Sequence, residues 1–419
     1  MPMEQAHPEP HELVVDQRDR VAVEYVLREI DVPWTLKEEN KPLRLAVLTR
    51  PKEDTKILRI QQNTMLVESL KGAFSAGGRR NAALTDLDLL LGMLRQWFRD
   101  RYHGWEPTVD KNHSLDWVQG APVKKGAAGP PTPLAATEPI PRFDPSPQNG
   151  RPVRIGLLDT RVFKHPALAG RYDADQASAF DSTANLFGTA GHATFIAGLM
   201  LQRAPGARLE VRAVLSDDDA TALSWDVAKK MVEFSDVDIL NMSFGCATHG
   251  KPPLALTRAI DVLTPKVVLV AAAGNYGDFK DGDVTSNYTG PTETTPQWPA
   301  AFPDVVAVGA HGPGAGFSSH GPWLDLLAPG VEVTSTFLPG TVKVRSRDEE
   351  GNLTVNEVNF GEGYAKWSGT SFAAANVAGE IAARMAAGST SADYALDTIL
   401  HPTDGNILPY AIPTGGQTR

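Results

Sequence analysis

Between residues 153 and 387, short apolar runs alternate with helix-like segments, and this order restricts the fold more than any other feature of the 419-residue chain. Runs at 153–158, 209–214, 237–242, 267–273 and 305–308 are rich in Val, Leu, Ile and Ala and are too short for ordinary helices. Strands buried on both faces read in this way, while 209–214 alternates like a half-buried strand. Helix candidates lie at 194–201, 223–234, 254–263 and 371–387. Such alternation predicts a doubly wound α/β fold, with a mostly parallel sheet and helices on both faces. Chemistry in these sheets collects at the carboxyl ends of the strands, where loops converge.

A composition shift divides the chain. Residues 118–150 are crowded with Pro, Gly and Ala, and proline denies a chain regular helix and sheet. This reads as a linker between an N-terminal domain, 1–117, and a larger domain, 151–419. The N-terminal domain is expected to be small and α-rich. Helices are read at 17–30, 63–74 and 82–102, and a buried strand at 43–48. In the last helix Leu87, Leu90, Leu91, Leu94, Trp97, Phe98 and Tyr102 recur at spacings of three and four, a core-packing signal.

Composition excludes several functions. A formal net charge of −10 disfavours nucleic-acid binding, which needs a basic face. Cys246 is the single cysteine, so no intramolecular disulfide can form and a cysteine-based zinc site is nearly excluded. No apolar run reaches the roughly 18 residues of a membrane-spanning helix. The polar, acidic first 20 residues do not resemble a secretory signal. The expectation is a cytoplasmic protein.

Four residues invite a chemical reading. Asp159 follows the first strand of the larger domain and can orient a histidine, although Asp commonly begins loops. His192 sits among small residues in GTAGHATFIAG, as a general base or as a structural histidine. Ser371, in SGTSFAAANVAG, lies at a helix start, where free N–H groups favour negative charge. The plain alternative is a capping serine. Asn275 ends the strand VVLVAAAGN and offers an amide donor near Ser371.

Together these blocks resemble the subtilisin family of serine endopeptidases over about residues 151–410. LLDT, GHATFIAG, LNMSFG, VAAAGN, the FPDVVAVGA…LAPG stretch and SGTSFAAANVAG occur in the family's order. The Asp, His, Ser order separates it from the chymotrypsin and α/β-hydrolase orders. The resemblance implies Ser371 as nucleophile, His192 as general base, Asp159 as its orienting carboxylate, and Asn275 with the Ser371 N–H as oxyanion hole. It implies that Ser243, Phe244 and Gly245 pair with an extended polypeptide substrate, and that Ala272, Ala273 and Gly274 line the opposite wall. Asp217, Asp218 and Asp219 match the start of the second substrate-flanking strand. They would select basic side chains, or else form a solvated turn. No cofactor and no metal site are expected, because the His192 helix is too short for the family's calcium loop.

The chain departs from the family at Ala375 and Asn376, where Pro and His are usual, and at Phe372, where Met is usual. Residues 337–366 form an insertion that reads as a β-hairpin turning at 349–352, either a lid or exosite or a surface decoration. The N-terminal domain is expected to inhibit the enzyme in cis or to bind a partner. Val123–Gly126 in the linker is a candidate self-cleavage site. The rival function is a silent, peptide-binding pseudoprotease. An active enzyme should lose activity as His192 takes up a proton.

Overall fold

The computed structural model describes residues 11–29, 34–50, 85–116, 129–143, 153–234, 236–248, 251–264, 266–281, 290–347, 353–385 and 391–401. The N-terminal unit contains β1 (Glu12–Asp16), α1 (Arg20–Glu29), β2 (Thr35–Asn40), β3 (Leu45–Thr49), α2 (Asp86–Arg101) and β4 (Val109–Lys111). Its strands form one antiparallel sheet in the order β2-β3-β1-β4. Alternate side chains of a strand face opposite ways, and both faces of this sheet are covered. Leu13, Val15, Ala46 and Leu48 pack against Val23, Val26 and Leu27 of α1 and Leu90, Leu94 and Phe98 of α2. Val14, Leu45 and Val47 turn the other way and join the core of the larger unit beside Trp225 and Leu256.

Helix α2 starts at a capping box. The Thr85 hydroxyl accepts from the Asp88 N–H at 3.3 Å, and the Asp88 carboxylate accepts from the Thr85 N–H at 3.0 Å. The expectation of an α-rich unit is corrected by the four-stranded sheet, which makes it mixed α+β. The strand read at 43–48 appears as β3, while the other three escaped the sequence pattern for physical reasons. β1 is buried on both faces and shows no alternation, β2 (TLKEEN) is mostly exposed and polar, and β4 is three residues long. The helices expected at 17–30 and 82–102 appear as α1 and α2, while the one at 63–74 lies outside the described residues.

Two short strands, β5 (Ser114–Leu115) and β6 (Thr132–Pro133), precede the larger unit. That unit continues with β7 (Arg154–Asp159), β8 (Val162–Phe163), β9 (Tyr172–Ala174), β10 (Ala179–Phe180), α3 (His192–Arg203), β11 (Arg208–Ala213), β12 (Ala222–Leu223), α4 (Ser224–Met231), β13 (Ile239–Met242) and α5 (Leu254–Leu263). It ends with β14 (Val268–Ala272), β15 (Val305–His311), β16 (Leu326–Pro329), β17 (Val333–Thr336), β18 (Thr341–Arg347), β19 (Leu353–Asn359), β20 (Tyr364–Trp367), α6 (Thr370–Met385) and α7 (Ala392–Leu400). Seven strands form a parallel sheet in the order β16-β15-β14-β13-β7-β11-β9. On one face Ile155, Leu157, Val270 and Val308 meet Phe195, Val377 and Ile399 of α3, α6 and α7. On the other, Leu158, Leu240 and Leu269 meet Trp225 of α4 and Leu256 and Ile260 of α5. The doubly wound expectation holds. The inserted hairpin also forms, with β18 and β19 paired from Thr341↔Asn359 to Arg347↔Leu353. No helix among the described residues is long and apolar enough to cross a membrane.

Helix α3 is clamped to β17. The Ser335 and Thr336 hydroxyls donate to the carbonyls of Phe195 and Thr194 at 2.7 and 2.8 Å. A Cβ at Gly198 would collide with both hydroxyls. Gly198→Ala is therefore expected to destabilise the chain by about 1–3 kcal/mol, the usual cost of overpacking. A urea midpoint equal to wild type would refute this.

The N-terminal sheet docks on the starts of α4 and α5, where helices leave N–H groups unpaired. Asn112 Oδ1 accepts from the Trp225 N–H at 2.9 Å and the Ser224 hydroxyl at 3.0 Å. Asp110 Oδ2 accepts from the Leu254 N–H at 3.1 Å and lies 3.1 Å from His113 Nε2. Asp16 pairs with Arg258 at 2.7 Å, and Glu38 meets Lys229 and the Trp225 indole N–H. Burial pushes the Asp110 carboxyl up, but the charge and hydrogen bond of His113 and the backbone N–H bonds outweigh it, so its pKa is lowered. Glu38 is likewise raised by burial and lowered more by its bonds to Lys229 and Trp225. A carboxyl with a depressed folded pKa adds stability above its unfolded pKa, and that stability is lost as pH falls through the folded value. Asp110→Asn should thus destabilise the full chain at neutral pH and less at about pH 3, below the ordinary carboxylate range, where part of that stability is already lost. Urea unfolding at both pH values tests this, and an equal loss at both would count against it.

Candidate active site

Asp159 is the last residue of β7 and is fully buried. Its backbone carbonyl accepts from the N–H groups of Val214 and Leu215 at 2.9 and 3.1 Å, which pins the strand end. Its Oδ1 accepts from the Thr160 N–H at 2.7 Å and lies 2.8 Å from His192 Nδ1. Thr160 reaches onward, its hydroxyl accepting from the Ala193 N–H at 3.1 Å. His192 opens α3 and is buried. Its ring packs against Trp367 and Phe372, each with centroids 5.8 Å away. Gly191 has to lack a side chain because the Phe337 ring fills the place of its Cβ.

Ser371 lies in the first turn of α6, between Thr370 and the Phe372 that touches His192. Its hydroxyl donates to the Ser243 carbonyl at 3.4 Å, and the Ser243 hydroxyl donates back to the Ser371 carbonyl at 3.2 Å. Asn241 Nδ2 donates to the Ser243 hydroxyl at 3.0 Å, tying the residue bonded to Ser371 to β13. Asn275 follows Gly274, whose φ of 109° lies in the left-handed region that favours glycine. Asn275 Oδ1 accepts from both the N–H and the hydroxyl of Thr370 at 3.0 Å. With the oxygen held there, Nδ2 is the donating end of the amide. The Gly274 N–H donates to the same Thr370 hydroxyl at 3.1 Å. Ala272 and Ala273 are fully buried at the end of β14. Asp159, His192, Ser371 and Asn275 therefore gather at the carboxyl ends of central strands. A buried carboxylate–imidazole pair, a hydroxyl at a helix start and an oriented amide are the parts acyl transfer requires.

The segment expected from sequence to pair with substrate is already paired with the chain itself. Phe244 is buried in the core, while Gly245 donates to the Asp116 carbonyl at 2.7 Å and accepts from the Asp116 N–H at 3.0 Å. Just upstream, β5 pairs antiparallel with β12, Ser114 opposite Leu223 and Leu115 opposite Ala222. The segment 114–116 thus lies as an added strand between residues 222–223 and Gly245. In the acidic turn, Asp217 is paired with Arg161. Asp219 accepts from the Thr221 hydroxyl at 2.8 Å and from the Ser216 hydroxyl. Asp218 is the exposed member of the three. The inserted hairpin leans on this turn. Arg345 donates to the Asp218 carbonyl and stacks 3.6 Å above the Phe187 ring.

Sequence reading missed Thr160, Thr370, Trp367 and the strand 114–116. The two threonines adjoin residues already singled out, so the signal was adjacency. A three-residue strand held by backbone bonds leaves no side-chain signal at all.

The Subtilase family model matches residues 150–403. A thermophilic serine proteinase of Bacillus sp. strain AK1 is 30% identical over 245 residues, which cover 54% of this chain and 50% of that protein. Subtilisin E of Bacillus subtilis strain 168 is 30% identical over 249 residues, covering 56% of this chain and 55% of its own length. The matched region thus spans about half of each relative. Among solved structures, fervidolysin from Fervidobacterium pennivorans has a TM-score of 0.53 and 19% identity, over 91% of this chain and 56% of that one, a likeness of fold. The fold, the order of the blocks and a family match over more than half of the chain place this protein in the Subtilase family.

Proposed function

We propose that this protein is a serine endopeptidase that cuts extended polypeptide segments and is held latent by its own N-terminal unit. The observation that carries the reading is the buried Asp159–His192 contact at 2.8 Å, linked through Phe372 on the His192 ring to the helix start that holds Ser371, where Asn275 Oδ1 bonds Thr370. Ser371 Oγ attacks the scissile carbonyl while His192 Nε2 takes its proton. Asp159 holds Nδ1–H and stabilises the imidazolium. The oxyanion forms against Asn275 Nδ2 and the Ser371 N–H, at the positive end of α6. Collapse breaks the C–N bond, His192 protonates the leaving amine, and water then releases the acyl group by the same steps in reverse.

Latency is supported by 114–116, which takes the backbone groups of Gly245 that an incoming peptide would need. Activation is a cut in the linker, for which Val123–Gly126 is the candidate. A narrow processing role fits the hairpin that walls the acidic turn. Asp218 is the carboxylate of that turn best placed to favour basic side chains, since Asp217 and Asp219 have internal partners. In peptide-library profiling Asp218→Asn should weaken a basic preference, and the absence of any such preference in wild type would remove this role.

Fluorophosphonate labelling of the full chain and of its Ser371→Ala variant, with mass spectrometry of the termini, tests the whole reading. Label on Ser371 and a linker cut seen only with Ser371 present are expected. No label on the native chain, before or after limited linker cleavage by an added protease, would favour the silent peptide-binding alternative.

A further inference from the structure

Residues 129–143, read from sequence as linker, are bound along the larger unit. Thr132 and Pro133 pair with Lys366 and Ala365, making β6 the outer strand of a β17-β20-β6 sheet. The Gly129 carbonyl accepts from the Trp367 indole N–H at 2.8 Å. Pro131 is buried and lies against Gly188 together with Phe337 and Val344. Glu138 forms an ion pair with Lys366. At the far end Arg171 donates to the Phe143 carbonyl at 2.9 Å, and its guanidinium lies 5.9 Å from the Phe143 ring centroid. Backbone ladder, buried proline, ion pair and cation–π contact all join this segment to the larger unit.

Two of these contacts lead to His192. The buried Trp367 ring meets the imidazole edge-on, at 5.8 Å and 86°. It also packs on Phe195, Phe337 and Phe372, at 5.7, 5.8 and 5.1 Å. Gly188, under Pro131, opens the 3₁₀ turn that ends at Gly191, immediately before His192. Aromatic packing alone lets a ring slide in its plane. A buried indole N–H wants an acceptor, and the bond to Gly129 gives Trp367 a fixed direction. Asp159 then fixes one nitrogen of His192, and Trp367 with Phe372 fixes the ring.

We propose that residues 129–143 are a permanent strap of the catalytic unit, and that Trp367, held by Gly129, is a positioning residue for the His192 imidazole. This rests on the protease reading above. It adds that any cut freeing the N-terminal unit falls before Gly129, and that the strap remains part of the active enzyme. Small displacements of a reacting group cost on the order of 10²-fold in rate, so loosening Trp367 should act on kcat and leave KM nearly unchanged.

The test compares wild type with Trp367→Ala, Trp367→Phe and Pro131→Asp, all in the full chain. Active sites are titrated with a fluorophosphonate, and kcat and KM are measured on a peptide across about pH 5 to 9, where the acid limb reports the histidine. Trp367→Ala should lose on the order of tenfold or more in kcat, change KM by less than about threefold and shift the acid limb. Trp367→Phe, which keeps a ring against His192 but loses the N–H bond to Gly129, should fall between wild type and Trp367→Ala in kcat. Pro131→Asp, which places a charge under the strap, should fall in the same direction as Trp367→Ala. Should Trp367→Ala fail to fold, the Trp367→Phe and Pro131→Asp profiles decide. The labelled wild-type chain should begin no later than Gly129. A labelled Trp367→Ala or Pro131→Asp enzyme with wild-type kcat and pH profile overturns the proposal alone, as does a fully active chain that begins after Phe143. A wild type that takes no label overturns the protease reading and this proposal with it.

Discussion

Ser371→Ala should leave a folded chain with almost no turnover. Loss of the nucleophile in a subtilisin lowers kcat by about 10⁶-fold, and that magnitude is carried over from that enzyme. The change removes one hydroxyl, which donates to the Ser243 carbonyl at 3.4 Å. The helix start, Asn275 and the Ser243 hydroxyl stay in place, so stability should change little. The measurement is peptide hydrolysis by wild type and variant purified in parallel, beside a urea melt. A variant that keeps more than about 1% of wild-type kcat would mean that Ser371 is not the nucleophile. A large fall in the urea midpoint would mean that the serine is chiefly a structural residue of α6.

Asn275 separates into two functions that substitution can divide. Its oxygen holds Thr370, and under the proposed mechanism its nitrogen is the oxyanion donor. Asn275→Asp keeps the acceptor for Thr370 and loses the donor. Asn275→Ala loses both. Removing an oxyanion donor costs about 10²- to 10³-fold in kcat, a value measured on the equivalent asparagine of a subtilisin. Both variants should therefore fall by at least that much in kcat, with KM within about threefold because the donor acts mainly on the transition state. Only Asn275→Ala should also lower the urea midpoint. Unchanged kcat in both would exclude Asn275 from the oxyanion hole, and a loss in Asn275→Ala alone would assign it a purely structural task.

The larger unit was legible because its strands are short, apolar and buried on both faces. Strands 154–159 and 268–272 and helix 254–263 sit within a residue or two of where the sequence places them. The four candidate residues stand out in the sequence because Asp159, His192 and Ser371 lie at the ends of regular elements and Asn275 just past one. The N-terminal sheet was not, since it is held by edge pairing of a strand with no alternation, a polar strand and a three-residue strand. Proline-rich composition also misled at 129–143. Thr132 and Pro133 bond to only one neighbour strand, and an edge strand tolerates proline. Trp367 looked like any other aromatic, because its importance lies in which ring it touches.

The two-sided burial of β1 has a kinetic consequence. Val14, Leu45 and Val47 belong to the same core as Trp225 and Leu256, so the two units share packed hydrophobic surface as well as salt bridges. Cutting the linker would break a covalent tie and leave a two-chain complex assembled. Under the latency reading, the interval between the cut and the first turnover is then a residence time, set by how slowly the severed N-terminal piece leaves. Dilution, which does nothing to an intact chain, would shift the equilibrium of that pair, so total protein concentration becomes one of the variables that govern activity.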